Sequence, residues 1–500
     1  MKRIILLFIS FISFAGNAQQ QKANIEKESY QNPIFAGDYP DPSIIRDGED
    51  YYIVHSSFNY YPGLLIWTSK DLVNWKPVTH ALKKSVGSVW APDLVKYNNK
   101  FYIYFPANET NYVVWADTIT GPWSDPIDLK IGNIDPGHFT DEKGNRYLYF
   151  SNGNYVPLSK DGLSVSGEGK HVYDGWKIPA DWSIECFCME GPKVLKRRDY
   201  YYLTVAEGGT AGPATSHMVI SARSKSPLGP WENSPFNPII RTKSQSEKWW
   251  SKGHATLIDD ADGKWWMVFH GYENGYYNMG RQTLLEPVEW TKDGWFKSAA
   301  AIKTENPIKK PAGKKIESNF SLSDDFSALE LKPQWQFFNE YDAERFKLTK
   351  NGLELKAKGK NVGESSPLLC TPPDHSYVAQ VEVEIEENAT AGLVLFYDTK
   401  LYTGIAADHE NVFAILRSWQ LPTQKGVNKT HLFLRLEKKE QLVNMFYSID
   451  GKELIKIENS AEVSAFHHNV LSGFMSLRLG LSAAGTGKVT FKNFIYKATN

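Results

Sequence analysis

From residue 41 onward the chain repeats one pattern of apolar and polar positions. A small or acidic residue stands before Pro, a short apolar run follows, then a polar turn, then an aromatic run. The pattern occurs as DPSIIRDGEDYYIV from Asp41, APDLVKYNNKFYIYF from Ala91, DPGHFTDEKGNRYLYF from Asp135, GPKVLKRRDYYYLTV from Gly191 and GHATLIDDADGKWWMVF from Gly253. In the last of these His254 takes the place of Pro. Apolar runs of this length, bounded by turn formers, read as antiparallel β-strands. The anchors lie 50, 44, 56 and 62 residues apart, and three units close on a turn and a tryptophan, at Trp75, Trp123 and Trp231. Repeats of that length predict four-stranded propeller blades, five of them over residues 33–300. A stacked solenoid is the rival architecture. Its end units should look like caps, yet the first and last repeats here are as rich as the middle ones.

The pattern changes after residue 300. Residues 301–317 are rich in Lys and Pro with little apolar content, which predicts a surface linker. Alternation then returns in Val381-Glu382-Val383-Glu384-Ile385, followed by an apolar run from Gly392 to Tyr397. With no helix-period run longer than two turns, residues 318–500 are expected to form a second all-β domain, a sandwich of jelly-roll or concanavalin-like type. The fold class is therefore all-β throughout. The opening MKRIILLFISFISFAGNAQQ has a basic start, an apolar stretch and small residues around Ala18. It reads as a signal peptide, residues 1–18, cleaved near Ala18, so export to the periplasm or medium is expected.

Composition sharpens this picture in three places. Basic and acidic residues balance at 56 to 57, which gives no electrostatic case for nucleic acid or a membrane surface. Aromatics reach 14%, as expected of a β-rich core and also of a cleft that stacks sugar rings. The three cysteines form no disulfide framework, and Cys186 and Cys188 are expected to be buried free thiols.

The repeat also carries the chemistry. Innermost strands of a propeller surround one axis, so equivalent repeat positions converge on one funnel. Asp41 and Asp135 stand at the head of the first and third repeats, and Glu190 within one position of the head of the fourth. Facing carboxylates are what glycosidic cleavage requires: one protonates the leaving oxygen, the other activates water or attacks the sugar. A third acid nearby raises the pKa of the proton donor by like charge.

On these motifs residues 33–300 resemble family 43 glycoside hydrolases, and the chain from about 318 resembles the β-sandwich of the β-xylosidase-type members. The resemblance implies an inverting enzyme with Asp41 in YPDPSI as general base, Glu190 in CMEGPKVL as general acid and Asp135 in NIDPGHF as the modulator of its pKa. Base and acid would then stand about 6.5–9.5 Å apart, with water between them and the sugar. It also implies sugar-binding roles for Phe58, Trp90, Thr210, His254 and Arg281. No organic cofactor is required, and there is room for Ca2+ or another cation at the propeller centre, approached by His254 through water. Asp93 is read as structural.

The implied substrate is an oligosaccharide ending in α-L-arabinofuranose or β-D-xylose, from hemicellulose or pectin, with the sandwich closing the pocket for exo attack. Oligomeric state and the closing residue stay open. One departure stands out: Phe58-Asn59-Tyr60 replaces the Phe-Glu-Trp of many β-xylosidases, which removes a carboxylate and an indole expected at the pocket rim. Two rival functions are a non-catalytic carbohydrate-binding propeller and a retaining fructan hydrolase with Asp41 as nucleophile. The latter expects an Asn before Asp-Pro and an Arg-Asp motif in the third blade, and neither occurs.

Overall fold

The computed structural model describes residues 28–299, 302–424, 427 and 429–499. The expected signal peptide lies outside the described residues. Each repeat forms one antiparallel sheet, of four strands in blades 1, 2, 3 and 5; in blade 4 Ile240–Arg241 adds a fifth beside Met218 and Val219. Blade 1 comprises Ser43–Asp47, Asp50–Val54, Gly63–Ser69 and Lys76–Leu82, and its first strand is the apolar run that follows Asp41-Pro42. Blades 2, 3, 4 and 5 begin in the same way at Asp93, Gly137, Glu190 and Trp249. Polar two-residue turns set the register. Tyr97 pairs with Lys100 across Asn98 and Asn99, which both have positive φ, the left-handed geometry that matches strand twist.

The ring is closed by the N-terminal segment lying on blade 5. Asn32 exchanges side-chain hydrogen bonds with the backbone of Leu285 at 3.0 and 2.9 Å, and Phe35 bridges Thr283. The segment expected to be a plain surface linker is stitched to the propeller. Ile308–Lys309 pairs with Ser29–Tyr30, and the Ala312 N–H donates to Asp260.

The C-terminal domain is a sandwich of two sheets. In the first, Tyr377–Ile385 buries alternate residues, as its period of two requires. The second sheet has eight strands, and its edge strand is Tyr60–Tyr61 of the propeller, paired with Phe337 and Phe338. The two domains thus share one hydrogen-bonded sheet. No helix among the described residues is long and apolar enough to cross a membrane.

The expectation of buried free thiols fails at Cys186 and Cys188. They form a disulfide, with Cα atoms 5.2 Å apart, and neither is fully buried. Extended chain would set residues i and i+2 about 6.6 Å apart, so the backbone bends at Phe187 and brings the two cysteines together. Cys370 is buried and unpaired.

Candidate active site

Four of the five repeat heads share an uncommon backbone, the second repeat being the exception. Asp41, Asp135 and His254 have φ of 56°, 57° and 56°, and Gly191 has 58°. For residues other than glycine this conformation costs about 1 kcal/mol or more each, and such strain is held where it aims a functional group. At Asp41 and Asp135 it stands two positions before the inner strand, at Gly191 and His254 it lies within the strand, and the Asp41, Asp135 and His254 side chains all line one pocket. Blade 4 departs from the others for a steric reason. A Cβ at position 191 would lie 2.7 Å from His254 Nε2, so glycine occupies that position. The acid comes from Glu190 instead, in front of an irregularity in strand pairing between Glu190 and Lys193.

Beneath the heads, Asp93 bolts the inner strands together. It accepts from Ser43 Oγ at 3.1 Å, from the His138 N–H at 2.6 Å and from Lys193 Nζ at 2.5 Å. It joins blades 1 to 4 and does not line the pocket, in keeping with a structural role.

All eight residues singled out in the sequence line one pocket that opens to solvent: Asp41, Asp135, Glu190, Phe58, Trp90, Thr210, His254 and Arg281. Asp41 sits in a dense hydrogen-bond shell. Arg281 donates from Nη1 to Oδ1 at 2.8 Å and from Nη2 to Oδ2 at 3.2 Å, and Ser56 Oγ donates to Oδ2 at 2.6 Å. Burial pushes the Asp41 carboxyl upward. The Arg281 guanidinium overcomes it and holds the group well below the usual carboxylate range.

The other two acids move the opposite way. Burial and then the Asp41 charge raise Glu190 to about 7, against the pull of Arg281. Asp135 is raised well above its ordinary value by burial and by repulsion from Glu190 and Asp41. The two form a repelling pair, and its last proton is held tightly. Burial drives His254 down to about 3 and His270 to about 4, so both imidazoles are neutral.

Aromatic groups shape the walls. The Arg281 guanidinium lies 6.0 Å from the Phe58 ring and 5.6 Å from the Phe474 ring. Trp90 is fixed by its Nε1–H donating to Ser88 Oγ at 2.8 Å, and its ring meets Phe474 at 5.8 Å. Phe474 belongs to the sandwich and supplies the closing residue left open by the sequence. Its loop is anchored by stacking on His468 at 3.9 Å, and the Leu477 N–H donates to the Asn278 carbonyl at 3.0 Å.

The expectation at Asn59 and Tyr60 is revised. Asn59 and Tyr60 do not line the pocket. The Asn59 Nδ2–H donates to Asn339 Oδ1 at 3.0 Å, and Tyr60 is fully buried under Arg478 and Phe338. The departure from Phe-Glu-Trp is therefore a feature of the interdomain joint, because those residues extend the sandwich sheet. For the cation, His254 Nδ1 lies 3.4 Å from Asp41 and 3.8 Å from Asp135, yet no group of three or more His, Cys, Asp or Glu among the described residues is arranged to hold a metal ion. The residues do not supply a direct ligand set, and no step below runs through a cation.

Five pocket residues are not among the candidates read from the sequence: Ala91, Ile134, Phe474, His217 and His270. The histidines stand at the start of the third strand of blade 4 and within the second strand of blade 5, away from the repeat heads that pointed to the rest.

One carboxylate held ionised and another held protonated, inside a single pocket at the mouth of a five-bladed propeller, define the class: a glycoside hydrolase. The comparisons agree. Residues 30–296 match the family described as "Glycosyl hydrolases family 43", and residues 323–497 match "Beta xylosidase C-terminal Concanavalin A-like domain". The chain belongs to glycoside hydrolase family 43.

It is 29% identical to the non-reducing end alpha-L-arabinofuranosidase of Bacteroides ovatus, over 93% of each chain. It is 34% identical to a xylan 1,3-beta-xylosidase of Vibrio sp, over 53% of this chain and 56% of that one. Among solved structures, a family 43 protein of Bacillus licheniformis superposes with a TM-score of 0.85 at 29% identity, covering 94% of this chain and all of its own.

Proposed function

We propose that the protein is an exported, exo-acting, inverting glycosidase that releases a terminal pentose, α-L-arabinofuranose or β-D-xylose, from hemicellulose or pectin oligosaccharides. The observation that carries this reading is the opposite displacement of Asp41 and Glu190 within one pocket. Asp41, ionised, takes a proton from water as the water oxygen bonds to the anomeric carbon. The glycosidic C–O bond breaks in the same step, and Glu190 delivers its proton to the leaving oxygen. Asp135 keeps that proton on the acid by repulsion. Phe58, Trp90, Thr210, His254 and Arg281 hold the sugar.

Closure from above by Phe474 supports attack at a chain end rather than mid-chain. The names of the relatives support both pentoses. Export rests on the N-terminal sequence, and N-terminal sequencing of protein recovered from culture tests it.

The decisive experiment offers nitrophenyl α-L-arabinofuranoside, β-D-xyloside and α-L-arabinopyranoside and follows the released sugar by proton NMR. Release of pentose with the inverted anomer first is expected. Retention would favour the fructan-hydrolase type of mechanism. Binding without cleavage would make the propeller a carbohydrate-binding module.

A further inference from the structure

We propose that His270 is a positioning residue with two tasks: it fixes the backbone of Asp41, and it orients the Thr210 hydroxyl so that Thr210 enters the pocket as a hydrogen-bond donor. The proposal rests on the reading of this pocket as a sugar site.

The backbone at Asp41 is where the logic starts. Its left-handed turn removes its N–H from the strand ladder, and a buried N–H must find a partner. That partner is His270 Nδ1, at 3.1 Å, reached from the second strand of blade 5. The imidazole is neutral, so a lone pair on Nδ1 places the ring proton on Nε2.

The opposite tautomer would let Nδ1 donate to Asp41 Oδ1, also 3.1 Å away. It would also set a ring N–H against a backbone N–H that cannot rotate away. Oδ1 moreover already receives Arg281 Nη1 at 2.8 Å. The Nε2–H tautomer satisfies more groups.

Nε2 lies 3.4 Å from Thr210 Oγ1. With the proton on Nε2, Thr210 accepts from His270 and its own hydrogen is left for the pocket. The bound sugar must therefore present an oxygen lone pair there. The ring is braced from behind by His217, stacked at 5.2 Å with 8° between planes. Gly253 makes the stack possible, since a Cβ there would sit 1.9 Å from His217 Cδ2.

The tautomer is read directly by ring 15N NMR of histidine-labelled protein, with His270→Phe used for assignment. An Nε2-protonated, Nδ1-unprotonated ring, unchanged from pH 5 to 9, is expected; a protonated Nδ1 overturns the proposal. Kinetics provides the second arm, on a nitrophenyl pentoside that the wild type cleaves. Thr210→Val should lose about tenfold in kcat/KM, the worth of one buried hydrogen bond. His270→Asn keeps an acceptor near the Nδ1 position and loses the Nε2 donor, so it should match Thr210→Val. Adding Thr210→Val to His270→Asn should cost less than about twofold more, because both changes break one link. A multiplicative loss in the double variant overturns the proposal. Should His270→Asn not fold, the wild-type tautomer decides alone. A wild type that cleaves no pentoside would instead sink the proposed function, with the tautomer still measurable.

Discussion

Arg281 grips Asp41 with both arms of its guanidinium, at 2.8 and 3.2 Å, and among the described residues no other pair in the pocket is joined this way. The contact holds the carboxylate ionised in a site whose burial would otherwise protonate it. Arg281→Met should therefore raise the Asp41 pKa, so the acid limb of kcat/KM moves to higher pH while maximal activity falls. Arg281→Lys should move the limb less, since a single ammonium keeps charge without the fork. An acid limb at the same pH in Arg281→Met would show that another group limits activity there.

The alkaline limb belongs to the acid pair. Glu190 is raised to about 7, so kcat/KM should decline as pH rises through that value and the proton donor is lost. Asp135→Asn removes the repulsion that holds the last proton of the pair, and the limb should move to lower pH. A pH–rate profile of the two proteins on one substrate checks the direction. An unmoved or raised limb would remove Asp135 from its modulating role.

Roles for the two ends of the reaction separate by leaving group. Glu190→Gln cannot protonate the departing oxygen, so it should lose about 10²–10⁴-fold on poorly activated glycosides. It should lose far less on dinitrophenyl glycosides, whose leaving group needs no proton. Asp41→Asn removes the base instead and should be equally impaired on both. Equal losses for Glu190→Gln on good and poor leaving groups would reassign the acid.

The repeat made most of this site legible before any coordinates. Asp41 and Asp135 share one strand position and one backbone conformation, so register alone placed them together. Glu190 fell one residue out of step because Gly191 must leave room for His254, a contact that spacing cannot reveal. The cysteines mislead because a sequence count says nothing about whether the chain bends enough at Phe187 to pair residues two apart. Asn59 and Tyr60 misled because their partner strand lies some 280 positions away, at Phe337–Phe338. Phe474 was invisible for the same reason. Its loop belongs to no repeat, and it reaches the pocket only through the way the domains join.

That joining yields the last prediction. Phe474 projects from the sandwich to meet Trp90 at 5.8 Å and the Arg281 guanidinium at 5.6 Å; it stacks on His468 and packs, half-buried, against the cluster of Phe58, Tyr60 and Phe338 at the domain joint. Truncation should thus open the pocket at a small cost in packing at that joint. Phe474→Ala is expected to raise KM on short glycosides, with kcat/KM down about tenfold for a lost aromatic wall of about 1.5 kcal/mol. The melting temperature should fall only slightly, since Phe474 is half-buried. His468→Ala should reproduce the effect in part, because it frees the Phe474 N–H, which donates to His468 Nδ1 at 2.9 Å, and releases the ring stack. Steady-state kinetics beside melting curves test both variants. Wild-type KM in Phe474→Ala would mean that the propeller forms the sugar site alone, and that the shared sheet through Tyr60–Tyr61 serves only to hold the two domains together.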